Sequence, residues 1–125
     1  MTTNLYAAWT GILLGCLVGA VQGLFFHKES WLGGYDSWPR RMLRLGHISF
    51  FGIAFINLAF ALSASILGIE KNIYIPSRLF LIGAVGMPLV CYLSAIKDTF
   101  RHLFFIPALS VIVGIVAFLW RIFAR

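Results

Sequence analysis

Three histidines and a group of arginines are the residues whose types and spacing could do chemistry in this chain. His27 ends a long apolar run, His47 lies about one turn inside the next, and His102 opens the last. Arg40, Arg41, Arg44 and Arg101 fall at nearly the same level of the pattern. Imidazoles ligate haem iron and guanidiniums bind propionate carboxylates, so the combination is what a membrane haem b needs. On this expectation the haem-binding residues are His47, His27, His102, Arg44 and Arg101. His47 is one axial ligand and His27 or His102 the other. An imidazole inside an apolar span is costly without a partner, a need met equally by iron or by a hydrogen bond to another helix. At a span end, histidine more often bonds only a carbonyl or a headgroup, which is the plainer reading of His27 and His102.

The segment Arg44-Leu45-Gly46-His47-Ile48-Ser49-Phe50-Phe51-Gly52 brings a histidine into the bilayer behind arginines and ahead of aromatic and small residues. Locally it resembles the haem-ligand helix of haem-copper oxidase subunit I and related small membrane haem proteins. The resemblance implies an iron ligand at His47. It is confined to this segment, and the additional metal-ligand histidines of that subunit have no counterpart here.

No other reaction chemistry is written in the chain. The four carboxylates, Glu29, Asp36, Glu70 and Asp98, all lie outside the apolar runs. There is no nucleophile with a base at a recognised spacing, no phosphate loop and no paired zinc histidines, so the chain does not read as an enzyme. Cys16 and Cys91 sit inside apolar runs without CxxC spacing and read as small buried hydrophobes. Gln22 and Asn57 are polar groups within spans, suited to interhelical hydrogen bonds worth about 0.6–2 kcal/mol each. A small-solute channel or permease is a further alternative, with a sparse polar lining and only Pro88 as a mid-span break.

The elements that must position these residues are membrane spans. The chain is 61% hydrophobic and 11% charged, with mean hydropathy +0.93, where a soluble domain is roughly 45–50% apolar and about 25% charged. The charge-free runs predict an all-α integral membrane protein. It forms a single domain over residues 1–125 with four transmembrane helices in a small bundle, at about 6–26, 45–69, 79–96 and 103–120. Runs of about 18–25 residues cross a ~30 Å hydrocarbon core as helices, and continuous rather than alternating hydrophobicity argues against strands. The first run follows Met-Thr-Thr-Asn-Leu-Tyr, has no basic flank before it, and reads as a retained span. Tyr6, Trp9, Tyr74 and Trp120 then gather at one interface, and Trp31, Tyr35 and Trp38 at the other. The connection from Lys28 to Arg41 should lie on the membrane surface, and the short stretch from Lys97 to His102 makes a hairpin. Pro88 should kink the third helix, whereas Pro107 sits near the start of the fourth, where it is tolerated.

The first span carries Ala7, Gly11, Gly15, Gly19 and Gly23 at four-residue intervals, with His27 continuing the register. On a helix these small residues cut a groove along one face, admitting another helix or something flat, such as a macrocycle. The expected function is that of an accessory or structural subunit of a larger membrane complex, of the energy-transducing kind (respiratory or photosynthetic). It would act by helix packing through this stripe, and its partners would be membrane lipids and other transmembrane subunits or further copies of itself. The net charge of +6 resides at span ends, facing headgroups and leaving no patch for nucleic acid. Lys28, Arg40, Arg41, Arg44, Lys97 and Arg101 lie on one side, against Lys71, Arg78, Arg121 and Arg125 on the other. That excess puts the first set in the cytoplasm and both termini on the non-cytoplasmic side.

Overall fold

The computed structural model describes residues 1–69 and 71–124; Glu70 and Arg125, two of the charges counted above, lie outside the described residues. Within them the chain forms α1 (Thr2–Phe26), α2 (Trp38–Ile66), α3 (Tyr74–Ile96) and α4 (Phe105–Phe123), with 3-10 turns at Trp31–Gly33 and Asp98–Leu103. All four helices are long and apolar enough to cross a membrane, the last when taken with its preceding turn. The four-span, all-α architecture follows directly from the hydropathy pattern.

The boundaries differ from the charge gaps for a physical reason. A helix can continue beyond the hydrocarbon, so charged residues end a span without ending a helix. The second helix begins at Trp38 rather than near Leu45 because Ser37 caps it: the Ser37 hydroxyl accepts from the Arg40 backbone N–H at 3.4 Å, and Pro39 follows in the first turn. Arg40, Arg41 and Arg44 therefore ride on α2 instead of in a loop. In the same way α3 starts at Tyr74, before Arg78. α3 continues through Pro88, and Pro107 occupies the first turn of α4.

Neighbours in sequence are neighbours in space. α1 packs on α2, α2 on α3, and α3 on α4, while α1 meets α3 only lightly. α2 and α3 form the centre, and α1 and α4 lie at the edges. Between α3 and α4 the approach is close because Gly83 faces Val111, Gly86 faces Pro107 at 3.1 Å and Gly114 faces the Phe80 ring at 2.9 Å, each measured from where a Cβ would stand. Phe60 of α2 stacks obliquely on Phe80 at 5.1 Å and edge-on to Phe118 of α4 at 4.9 Å, which closes the core at that end.

Hydrocarbon offers no partner for a polar group, so the bundle supplies them internally. Asn4 of α1 donates to the Asn57 Oδ1 of α2 at 2.8 Å and to the Ser77 carbonyl of α3 at 3.2 Å. The Ser77 hydroxyl donates back to Asn4, and Asn57 donates to the carbonyls of Ile53 and Phe80. Asn4 and Asn57 are fully buried, so this knot ties three helices. Replacing Asn57 with Leu leaves the Asn4 amide short of an acceptor, and the expected cost is about 2 kcal/mol of stability. Reversible unfolding of the full chain in mixed micelles measures it.

Candidate functional site at the loop face

The ends of α1 and α3 and the start of α2 meet at one face of the membrane, and Arg40 organises it. Arg40 is 2% exposed, and its guanidinium donates to the Phe26 carbonyl at 2.8 Å and to those of Lys28 and Glu29 at 3.3 Å. These oxygens belong to the C-terminal end of α1 and the turn after it, where unpaired carbonyls concentrate partial negative charge. The same guanidinium lies 4.8 Å from the Phe26 ring centre and 5.8 Å from that of Trp31. Its Nε–H is buried without an acceptor. Arg44 holds the far part of the loop, donating to the Tyr35 carbonyl at 2.9 Å with its guanidinium 4.0 Å over the Tyr35 ring. Trp38 fastens α2 to α3 by donating to the Ser94 carbonyl at 2.8 Å.

Of the haem candidates, His47 sits on the face of α2 turned toward α1. Its ring meets Phe51 edge-on at 5.4 Å, and its Nε2 occupies the space that a Cβ on Gly19 would need. Gly15 similarly faces the Phe51 ring at 2.8 Å, and Gly11 faces Ala54 at 3.0 Å. The groove along Gly11, Gly15 and Gly19 is thus filled by α2 of the same chain, and the flat wall imagined for a macrocycle is covered by Phe51 and His47. Gly23 meets nothing, and Ala7 is half-buried near the other end of the stripe. His27 caps α1, exposed, eight residues past Gly19 and so about 12 Å further along the axis. His102 is exposed on the 3-10 turn before α4, and Arg101 beside it is exposed as well. His27 and His102 are thus exposed, whereas His47 packs between α1 and α2. Among the described residues no group of three His, Cys, Asp or Glu side chains is placed to hold a metal ion.

Two residues outside the sequence-derived site matter here. Tyr92 of α3 accepts a hydrogen bond from the Gln22 side chain at 2.7 Å, giving Gln22 the interhelical partner its position called for. Arg40 stood among several arginines at the same level. A cation complementing a preceding helix C-terminus was foreseeable, but which arginine would turn inward was not, because the choice depends on the fold of the loop. Beside Gln22 and Tyr92 an apolar cleft opens between α1 and α3, lined by Leu17, Val21 and Phe25 of α1, Leu43 of α2, and Trp31 of the loop.

No protein-family model, curated protein or solved structure matches this chain. What the fold itself defines is an all-α protein of four apolar helices with the dimensions of an integral membrane protein. Replacing Arg40 with Gln removes the guanidinium from the carbonyls of Phe26, Lys28 and Glu29, and should cost about 2 kcal/mol. It should also speed amide exchange across residues 28–37, whereas exposed Arg41→Gln should leave both within about 0.5 kcal/mol of the parent.

Proposed function

We propose that this chain is a membrane-embedded accessory subunit that works by helix packing within a larger assembly. The observation that carries the reading is the pair of helical glycines that meet nothing inside the chain, Gly23 of α1 and Gly52 of α2. A glycine inside a helix costs about 1 kcal/mol against alanine. Gly11, Gly15, Gly19, Gly46, Gly83, Gly86 and Gly114 each recover that cost in a close contact. Gly23 and Gly52 do not, and the exposed small residues Cys16 and Ala20 share a helix face with Gly23. Small residues on an outward face suit the backbone of a neighbouring transmembrane helix. The stripe first read as the partner surface is thus reassigned: its middle serves α2, and contact with a partner moves to the outer side of α1 and α2. An energy-transducing complex remains the assembly class of this proposal. The proposal keeps both termini on the non-cytoplasmic side, on the excess of Lys28, Arg40, Arg41, Arg44, Lys97 and Arg101 over Lys71, Arg78, Arg121 and Arg125 in the sequence.

Native membranes solubilised in mild detergent test it. The wild-type chain should migrate as part of a larger complex, and Gly52→Leu or Gly23→Leu should release it as a folded monomer. Val85→Leu, on the exposed side of α3, should release nothing. A wild-type chain that is a solitary monomer sinks the reading.

A b-type haem site is the second reading, favoured by one observation: the half-buried His47 imidazole has no hydrogen-bond partner within the described residues. On this reading the purified chain shows a Soret band that His47→Leu abolishes. A colourless wild-type preparation refutes it.

A further inference from the structure

We propose that the cleft between α1 and α3 at the loop face is a binding site for one acyl chain of an anionic glycerophospholipid, with the headgroup held at Lys28. The cleft encloses about 390 Å³. It follows α1 from Leu17 to Phe25, about 12 Å at the helical rise, a length that suits part of one extended acyl chain. Its walls are apolar: the two polar side chains that border it, Gln22 and Tyr92, are bonded to each other at 2.7 Å. The remaining lining side chains are hydrocarbon or aromatic ring, so a hydrocarbon tail meets no polar penalty.

The mouth of the cleft is where a headgroup would lie. Trp31 stacks on Phe25 with ring centres 5.4 Å apart, at the depth where indoles anchor in the interface. The Lys28 ammonium stands 5.8 Å from the centre of that same Phe25 ring. Behind Trp31, the buried Arg40 is met only by carbonyls and ring faces, with its Nε–H unpaired. Glu29, the nearest carboxylate in sequence, forms no ion pair with either cation. Positive charge at the rim thus has no counter-charge among the described residues, and a basic pocket between transmembrane helices is suited to an anionic lipid. Neutral phosphatidylcholine offers the same tail without the net charge.

The test uses the full chain in maltoside micelles, offered equal amounts of dioleoyl phosphatidylglycerol and dioleoyl phosphatidylcholine, with retained lipid counted by native mass spectrometry. The wild type should retain one phosphatidylglycerol in about fivefold preference, the size expected of one lysine near an anionic headgroup. Lys28→Gln should bring the two lipids to near parity. Val21→Trp fills the slot from an exposed position and should abolish retention of both, with an unchanged melting midpoint in lipid-free detergent. Leu17→Trp, on the same wall, should do the same and stands in should Val21→Trp fail to fold. Equal retention of the two lipids by the wild type, an undiminished preference in Lys28→Gln, or wild-type retention by the folded tryptophan variants overturns the proposal.

Discussion

Helix α2 can lie against α1 only because three successive turns of α1 have no side chain on the contact face. Gly11, Gly15 and Gly19 receive Ala54, Phe51 and His47, and a methyl group at any of them would stand 3.0 Å or less from its neighbour. Everything at the loop face depends on that approach. It sets α2 where Arg40 reaches the end of α1, and where α3, packed on α2, brings Tyr92 to Gln22. In lipid, where apolar surface gains little by leaving its solvent, such close backbone contact supplies the attraction that hydrophobic burial supplies in water.

Hydrogen bonds then fix the register that the glycines permit. The Asn4–Asn57–Ser77 knot binds three helices near one membrane face. The Gln22–Tyr92 and Trp38–Ser94 bonds tie α1 and α2 to α3 near the other. Between these two belts the contacts are van der Waals, governed by small residues opposing large ones, as with Gly83 against Val111. Sliding α3 by a turn would break polar bonds at both ends at once. The edge helix α4 has no such tie to α2 and rests on α3 and the Phe60–Phe118 contact.

The number of spans and their order were legible because they depend on local composition, which hydrocarbon selects strongly. Gln22 and Asn57 were recognisable as interhelical hydrogen-bonding groups for the same reason: a polar side chain in a span must find a partner. Its identity was not legible. Asn4 lay outside the expected first span, and Tyr92 is an ordinary interface residue until α3 is docked. The glycine stripe signalled close contact but could not say whether the contact lay within the chain or beyond it. His47 joined His27 and His102 on one side through topology alone, and topology does not carry depth or direction; packing turned His47 toward Gly19 and left the other two outward.

The Arg40 clamp also bears on how the protein is made. The Phe26 carbonyl that ends α1 and those of Lys28 and Glu29 just after it all receive hydrogen bonds from a side chain on the first turn of the next helix. A nascent α1 leaving the translocon alone would lack this cation at its C-terminal end until residue 40 had been synthesised. The first two helices are therefore best delivered to the lipid as a single hairpin, already latched, on which α3 and α4 are later laid down.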